Sequence, residues 1–429
     1  MRLELGVIHI SDVQFGPETS VKDGTLYVDQ DALVAHLKEN EERLVDVKVH
    51  LARPGESVRI TPVKDVIEPR TKVDEGVQVF PGTVSKVLPV GSGRTNVLRG
   101  AAVVTIGKIV GFQEGIVDMC GPGADYTPFS QLNNVVLEFT LADGLTAYEK
   151  EEALRFSGLR AATFLAEPTK AMEPDEVSTF ETLPLMEGAK KYPDLPRVAY
   201  LQMLQSQGLL HDTYVYGVDA KKILPTLINP TELMDGAIIS GNCVSACDKN
   251  TTYHHQNNPV VEDLFAKHGT ELNFVGVIIT NENVFLDDKI RSSDWSAKLA
   301  QYLSLDGIII SQEGFGNPDT DLILNCKKIE ALGIPTVIIT DEYAGVDGAS
   351  QSLADADKAA DAVVTGGNAN EIVILPKLDR VIGDINVVHV IAGGSDKSIR
   401  EDGSLAVELQ AITGATNELG FNKLSAKGY

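Results

Sequence analysis

Short apolar runs alternate with amphipathic stretches of helical length along the second half of the chain, from residue 196 onward. Continuous runs of Ile and Val are typical of parallel strands that are covered on both faces. Their alternation with helical stretches predicts successive strand–helix–strand units. The predicted strands are RVAYLQM, GAIIS, FVGVIIT, DGIIIS and PTVIIT, and the predicted helices are NPVVEDLFAKHG, SSDWSAKLAQYLS, TDLILNCKKIEALG and SLADADKAADAV. We therefore expect an α/β fold with a parallel, Rossmann-like sheet in this half.

The first 140 residues show a different pattern, in which short β-branched segments are separated by Gly, Pro and Asn clusters. This pattern predicts strands joined by turns, namely LELGVIHI, VKVHLARP, VQVFPGTVSKVLPV and AAVVTIGKIVGF. One stretch, DALVAHLKENEER, predicts a helix with Asp31 as its N-cap. The predicted organisation is a β-rich domain at 1–140, a helical or linker region at 141–195, and an α/β domain at 196–429.

Composition narrows the classes of function. With 429 residues and 43% apolar content, the chain is long enough for two or three domains, roughly. It carries 61 Asp and Glu against 37 Lys and Arg, a formal charge of -24, which repels phosphate backbones and anionic lipids. We therefore expect neither nucleic acid nor membrane as a partner.

Location follows from what the sequence lacks. No apolar run approaches the roughly 20 residues that span a bilayer, and the N-terminus lacks the order of a signal peptide. Four cysteines are too few for a disulfide framework in a chain of this length. These features predict a cytoplasmic protein with reduced thiols.

Polar loops follow each predicted strand of the second half. Ligands bind beyond the carboxyl ends of the strands in an open parallel sheet, so these loops predict the lining of a crevice. The predicted lining is His211, Tyr214, Asn242, Cys243, Asn281, Glu282, Asn283, Gln312, Glu313, Asn317, Asp341 and Glu342. Within it, His211, Asn281, Glu282, Glu313 and Asp341 are the predicted substrate-binding residues. The alternative for each is an ordinary role in a cap or turn.

The stretch GNCVSAC, residues 241–247, places two of the four cysteines just after an apolar run. Cys243 has three interpretations: a small buried hydrophobe, a redox or nucleophilic thiol that Cys247 resolves, or the nucleophile of a self-cleavage. In the third, the thiol attacks the carbonyl of Asn242 and moves the acyl chain from nitrogen to sulfur. Elimination then leaves dehydroalanine, which hydrolyses to a pyruvoyl group. Gly241 supplies the backbone freedom that a tight turn needs.

Metal binding is not expected from the same region. His254 and His255 are adjacent, so on a helix their side chains point roughly 100° apart. The pair Cys243 and Cys247 lacks the second C-x-x-C that makes a zinc site convincing.

Several longer segments resemble a known family. They include SGNCVSACDKN, LQSQGLLHDTYVYGVDAKK, SQEGFGNPDTDLILNCKKIE, TDEYAGVDGASQSLADAD, ARPGESVRITPVKDVIEPR, GKIVGFQEGIVDM and ITGATNELGFNKLSAKGY. Over essentially its whole length the chain resembles the α/β-subunit proproteins of the glycine/sarcosine/betaine reductase component B family. The resemblance implies cleavage between Asn242 and Cys243 into pieces 1–242 and 243–429, with Cys243 becoming a pyruvoyl cofactor.

The resemblance also implies an oxidoreductase of amino-acid fermentation that works in a hetero-oligomeric complex. Glycine binds as a Schiff base to the pyruvoyl group, a selenol displaces the amine, and ammonia leaves. Component C then converts the carboxymethyl selenoether on selenoprotein A to acetyl phosphate, and thioredoxin reduces the carrier. The selenoprotein subunit of component B is a further implied partner. The present sequence contains no selenocysteine, so the selenol must come from another chain.

The sequence leaves alternatives open for the substrate and for the function. A primary amine forms a neutral imine, a secondary amine only an iminium and a quaternary nitrogen neither, which favours glycine over sarcosine and betaine. A sarcosine or betaine reductase component B is the alternative within the family. Outside it, the chain is an unprocessed amino-acid-binding subunit, or a thiol oxidoreductase that uses Cys243 and Cys247 in a C-x-x-x-C spacing.

Overall fold

The computed structural model describes residues 1–74, 76–110, 115–207, 210, 213–241, 250–415 and 427–428. Within these ranges the chain is a mixed α/β protein with several sheets. The strands are β1 (Arg2–His9), β2 (Asp12–Phe15), β3 (Ser20–Lys22), β4 (Thr25–Val28), β5 (Leu44–Ala52), β6 (Val58–Ile67), β7 (Arg70–Lys72), β8 (Gly93–Arg99), β9 (Ala101–Ile106), β10 (Gly115–Asp118), β11 (Asn133–Leu141), β12 (Glu176–Glu181), β13 (Arg197–Leu204), β14 (Thr213–Val215), β15 (Val218–Asp219), β16 (Thr226–Ile228), β17 (Ile238–Ser240), β18 (Asn273–Asn281), β19 (Gly307–Ser311), β20 (Thr336–Glu342), β21 (Val363–Asn368), β22 (Ile372–Leu375), β23 (Arg380–Gly383), β24 (Leu405–Glu408) and β25 (Lys427–Gly428).

Helices are concentrated in the second half. The α-helices are α1 (Gln30–Asn40), α2 (Ala147–Ala166), α3 (Leu185–Lys191), α4 (Pro230–Met234), α5 (Thr252–Gln256), α6 (Pro259–Lys267), α7 (Leu286–Tyr302) and α8 (Asn317–Glu330). Short 3₁₀ helices occur at Pro122–Tyr126, Pro128–Gln131, Glu167–Thr169, Ala220–Lys222, Ile385–His389 and Leu409–Ala411. None of the helices in the described ranges is both long and apolar enough to cross a membrane.

Two sheets dominate the first half of the chain. One has the order β12-β1-β8-β7, and the other runs β10-β6-β9-β11-β5, with β23 paired to β6. Helix α2 begins with a capping box in which Thr146 and Glu149 satisfy each other's backbone N–H groups. Its apolar side packs into the core that the strands form. The segment 141–195 thus contributes a buried helix and a sheet strand, β12, while the predicted domain boundaries remain predictions.

Two local predictions for the first half are wrong. Helix α1 has Asp29, and not Asp31, as its N-cap, because the Asp29 side chain accepts from Ala32 N at 2.9 Å. The segment VQVFPGTVSKVLPV forms turns in place of a strand. Phe80 and Gly82 have φ angles of 56° and 77°, and a Cβ at Gly82 would lie 2.1 Å from the Tyr216 carbonyl oxygen. The close approach of two backbones, rather than strand pairing, therefore shapes this segment.

The second half contains a sheet of order β16-β18-β13-β19-β20-β21-β25. Five consecutive strands of this sheet, β18, β13, β19, β20 and β21, run parallel to one another. The edge strands β16 and β25 pair antiparallel with β18 and β21. Successive side chains of β13 enter two separate cores. Tyr200 and Leu204 pack with α6, whereas Ala199, Leu201 and Met203 pack with α7 and α8. Burial on both faces explains why these strands read as continuous apolar runs.

The predicted strand GAIIS is wrong in its sheet assignment. Strand β17 pairs antiparallel with β14 in a separate sheet of order β15-β14-β17. The fifth parallel strand is instead β21, whose sequence VVTGGN lacks a continuous apolar run. The helices predicted from NPVVEDLFAKHG, SSDWSAKLAQYLS and TDLILNCKKIEALG are confirmed as α6, α7 and α8.

The helix predicted from SLADADKAADAV is absent, because residues 352–362 form bends and turns. Aspartate side chains here accept hydrogen bonds from backbone N–H groups, which carbonyl oxygens would accept in a helix. Asp355 accepts from Ala356 N at 2.9 Å, and Asp357 accepts from Ala359 N at 3.0 Å. Asp319 of α8 also accepts from the backbone of this segment. Such local bonds compete with helix formation, which the apolar spacing of the sequence does not reveal.

Candidate functional site

Four parallel strands end at the same edge of the sheet of the second half. The residues at or just beyond their carboxyl ends include Gln205 after β13, Glu282 after β18, Glu313 after β19 and Asp341 in β20. All of these residues except Gln205 are at most 4% exposed. Two buried acidic groups, Glu282 and Glu313, meet there. We call the group Gln205, Thr213, His255, Glu282, Glu313 and Gly314 the carboxyl-end site.

Glu313 connects three separate parts of the chain. Its Oε2 accepts from Gln205 N and from Thr213 Oγ1, both at 2.6 Å. Its Oε1 lies 2.9 Å from His255 Nε2, and both side chains are almost fully buried. One carboxylate therefore holds the end of β13, the start of β14 and helix α5 around the same point.

Glu282 lies beside it and has a different environment. Its Oε1 accepts from the backbone N–H groups of Glu313 at 2.9 Å and Gly314 at 3.0 Å. Burial, with the nearby charge of Glu313, raises the pKa of Glu282 well above its usual value. Because Oε1 already accepts two N–H donors, a proton on this carboxyl group belongs on Oε2.

Apart from Glu313 Oε1, which lies against His255, two oxygen atoms of the site have no hydrogen-bond partner within the described ranges. They are Glu282 Oε2 and Gln205 Oε1. Both face Gly314, where a Cβ would lie 2.7 Å and 2.6 Å from them. Only glycine fits this position without displacing the two polar groups. Buried oxygens without donors are costly in a purely structural role, which favours a ligand-binding role for them.

The two adjacent histidines have different roles. His254 belongs to the cap of α5, because its Nδ1 accepts from Thr251 N at 3.1 Å. Burial, together with the neighbouring His255, lowers the pKa of His254 to about 3, so the ring is neutral. It packs against the ring of Phe129. His255 points to the carboxyl-end site, with Nδ1 3.4 Å from Gln202 Nε2.

Glu282 and Glu313 are the predicted substrate-binding residues that the structure brings into contact. Asn281 lies apart from them, since its amide donates to Ile223 O at 2.9 Å and its Oδ1 accepts from Ser292 Oγ at 2.9 Å. Asp341 is buried on the neighbouring strand, two residues beyond Ile339.

The other predicted lining residues serve mainly structural contacts. Gln312 donates to Asp319 and Thr340, and Glu342 accepts from Thr365 and Ser352. Asn283 binds Asp321, Asn317 is exposed, and the ring of Tyr214 lies under the Arg155 guanidinium at 4.0 Å.

Three predicted residues, His211, Asn242 and Cys243, lie outside the described residues. Their described neighbours are close to the site, because Thr213 contacts Glu313 and is paired with Ser240. Four residues of the site are not predicted by the sequence pattern: Gln205, Thr213, His255 and Gly314. Over the described ranges, no cluster of three or more His, Cys, Asp or Glu residues is arranged to hold a metal ion.

A model of the family described as glycine/sarcosine/betaine reductase component B subunits matches residues 1–427. The chain belongs to this family. It is 65% identical to the glycine reductase complex component B subunits alpha and beta of Acetoanaerobium sticklandii, over the full length of both chains. The corresponding protein of Peptoclostridium acidaminophilum is 64% identical, also over the full length of both. The sarcosine reductase complex component B subunit alpha of the latter organism is 56% identical over both full lengths. No solved structure matches this component B family member.

The carboxyl group of Asp341 gives a testable pH dependence in this component B chain. Burial, with the neighbouring Glu342, raises its pKa from 3.8 to about 8. Between these values the folded chain holds a proton that the unfolded chain has lost, so this group lowers stability as pH rises. We expect Asp341→Asn to raise the free energy of unfolding at pH 8 by at least about 1 kcal/mol, with little change near pH 4. Denaturant titrations of both proteins from pH 4 to pH 9 measure it. A difference that is constant across this range would contradict the assignment.

Proposed function

We propose that this chain is the substrate-binding component of a glycine reductase, cut between Asn242 and Cys243 into pieces 1–242 and 243–429. The proposal includes a pyruvoyl cofactor made from Cys243. Full-length relatives at 65% and 64% identity support it, because the name of each assigns two subunits, alpha and beta, to one chain. The structural observation that carries it is the contact of Glu313 with Thr213 and with His255. Thr213 follows the predicted site residue His211, and His255 follows the stretch 241–249 that contains Cys243.

The described residues fit such a group. Ser240 and Asn250 bound the stretch 241–249 that contains Cys243, and Ser240 is paired with Thr213 of the carboxyl-end site. Gln205 Oε1 and Glu282 Oε2 lack partners within the described ranges, so the first can accept from an amino group and the second, when protonated, can donate to a nitrogen. A pyruvoyl group at residue 243 would supply a ketone that is electrophilic toward the glycine amine and would weaken the C–N bond of the bound substrate.

The residues of this chain supply proton control. An amine leaves with difficulty unless it gains a proton, and a buried carboxylic acid with a raised pKa is a suitable donor. A proton on Glu282 belongs on Oε2, the oxygen that lacks a partner among the described residues. Glu313 accepts from Gln205 N and Thr213 Oγ1 and stands beside His255, so it orients the loops around the reacting group.

Glycine is the proposed substrate, in preference to sarcosine or betaine. Identity to the glycine reductase relatives exceeds identity to the sarcosine reductase relative, 65% against 56%. A primary amine also forms the neutral imine that the proposed chemistry uses. The selenol is proposed to come from a selenoprotein subunit of component B, because this chain has no selenocysteine. Selenoprotein A, component C and the thioredoxin system are the proposed partners for the later steps.

Two finer descriptions belong to the same proposal. Strands β18 to β21 are parallel and the site lies beyond their carboxyl ends, which supports a Rossmann-like description of the second half. A cytoplasmic location suits the chemistry, since a selenol carrier requires a reducing compartment. The free thiols Cys120 and Cys326 are consistent with that environment.

Mass spectrometry of the protein from its native host tests the proposal. We expect two polypeptides that meet at residues 242 and 243, the smaller with a blocked, pyruvoyl N-terminus. Borohydride with labelled glycine should then add the glycine mass to the smaller piece, at least about ten times more efficiently than labelled sarcosine, the discrimination that about 1.4 kcal/mol confers. An active enzyme with an unbroken chain would contradict the cleavage. Preferential labelling by sarcosine would contradict the substrate.

A further inference from the structure

A buried hydrogen-bond chain connects the two sides of the segment 241–251. Ser240 N donates to Thr252 Oγ1 at 3.0 Å. Thr252 Oγ1 donates to Asp65 Oδ2 at 2.7 Å, and Thr252 N donates to Asp65 Oδ1 at 2.9 Å. All three residues are at most 2% exposed. We call Ser240, Thr252 and Asp65 the clamp.

The direction of these bonds depends on the charge of Asp65. A threonine hydroxyl has one proton to donate, and a carboxylate can only accept. The proton of Thr252 is therefore committed to Asp65, which leaves a lone pair of the hydroxyl for Ser240 N–H.

Strand β6 brings Asp65 to this place from the first half of the chain. The pairing of β6 with β9 shifts register between Val63 and Asp65, an irregularity of the kind that redirects side chains. The same strand region makes a second contact with α5, because Glu68 N donates to Gln256 Oε1 at 2.9 Å and Gln256 Nε2 donates to Glu68 O at 3.2 Å. Helix α5 is thus held at both of its ends.

The clamp joins the two pieces that cleavage would create. Asp65 and Ser240 belong to the upstream piece, and Thr252 belongs to the downstream piece. In the uncut chain the bonds therefore connect the two sides of the proposed cut. Helix α5 also carries His255 of the carboxyl-end site, so the same contacts position a site residue.

We propose that Asp65 is a positioning residue for the cleavage before Cys243, acting through Thr252 and Ser240. This inference rests on the proposed function. In the step concerned, the Cys243 sulfur forms a bond to the carbonyl carbon of Asn242 as the C–N bond breaks, and the freed amine takes the thiol proton. No oxidant or reductant is needed. Holding both ends of a short segment restricts the geometries available to the sulfur and the carbonyl, which accelerates an intramolecular attack.

Three variants of the full chain test the clamp, with the rate of appearance of the two pieces in a pulse-chase gel as the readout. Asp65→Asn places an N–H donor where Thr252 needs an acceptor, and Thr252→Val removes the hydroxyl. We expect each to slow cleavage about ten- to a hundredfold, the effect of losing a charged hydrogen bond. Thr252→Ser keeps the hydroxyl and should cleave within about threefold of the wild-type rate.

Gln256→Met is the matched control, because it breaks the second contact between α5 and the β6 region but leaves the clamp intact. We expect it to cleave within about threefold of the wild-type rate. Rates are measured on chains that elute at the wild-type volume in gel filtration, with thermal unfolding recorded for each. If Thr252→Val gives no folded chain, Asp65→Asn and Thr252→Ser decide.

The outcomes separate the two proposals. A wild-type chain that stays whole in its native host contradicts the proposed function itself. A wild-type chain that cleaves, with Asp65→Asn cleaving at the same rate, overturns the role of Asp65. Equal slowing in Gln256→Met and Asp65→Asn also overturns it, because general loosening of α5 would then account for the effect.

Discussion

Replacing Cys243 by alanine should leave the chain as one polypeptide of 46.1 kDa and should abolish the proposed glycine reduction. Alanine has no thiol to attack the preceding carbonyl, and its side chain offers no leaving group from which a pyruvoyl group can form. The expected loss of turnover exceeds roughly a thousandfold, because both the cut and the cofactor disappear. Denaturing gels and intact mass measure the cut, and ammonia release with the remaining components of the complex measures turnover.

Two further cysteine variants make this experiment specific. Cys120→Ser changes a free, half-buried thiol in the first half and should cleave and react as the wild type does. Cys243→Ser keeps a weaker nucleophile at the same place, so its cleavage should be slower but detectable. A Cys243→Ala chain that is still cut between residues 242 and 243 would contradict the proposed chemistry. Full activity of an uncut Cys243→Ala chain would contradict the need for the cofactor.

The sequence predicts strands well where both faces of a sheet are buried, because every position of such a strand then favours an apolar residue. Strands β13, β18, β19 and β20 lie between two cores, so each appears as a run of apolar residues that pattern alone locates. The rule that ligands bind beyond the carboxyl ends of parallel strands then selected Glu282 and Glu313. These two residues do contact each other in the structure.

The sequence was less informative where distant parts of the chain meet. The backbone of Gln205 binds Glu313 across a separation of 108 residues, and Thr252 binds Asp65 across 187. No periodicity encodes such contacts. From the sequence alone, His255 is considered only as a metal ligand beside His254, and that role is rejected because adjacent side chains diverge on a helix, whereas the helix cap assigns the two rings to different roles. Strand β17 was misplaced because three apolar residues fit either a parallel sheet or an antiparallel ladder.

The two glutamates of the carboxyl-end site divide the acid–base work through their surroundings. Glu313 accepts two donors on one oxygen and faces His255 with the other. Glu282 is fully buried, and its burial together with the nearby Glu313 raises its pKa well above its usual value. A buried carboxyl group with a raised pKa is typical of the general acids of enzymes.

Replacing Glu313 by glutamine should lower kcat/KM for glycine by about a hundred- to a thousandfold, with cleavage of the chain unchanged. The amide can still accept from Gln205 N and Thr213 Oγ1, but it turns an NH₂ group toward His255. Removal of the negative charge also lowers the pKa of Glu282, because that charge helps to raise it. If turnover requires protonated Glu282, the loss of activity at alkaline pH should begin at a lower pH in the variant.

Glu330→Gln is the matched control for this experiment. Glu330 also accepts from a backbone N–H and a threonine hydroxyl, both of Thr336, at 2.6 Å and 2.9 Å. Glu330 is the last residue of α8 and contacts Thr336, the first residue of β20. It therefore lies near the amino ends of the strands, and the carboxyl-end site lies at their other ends. Loss of its charge should leave kcat/KM and the pH profile within about threefold of the wild type, since it is far from the reacting group. Equal effects of the two substitutions would show that Glu313 only supports the fold. If the loss of activity at alkaline pH moves to lower pH in Glu313→Gln alone, the charge of Glu313 acts on the pKa of Glu282.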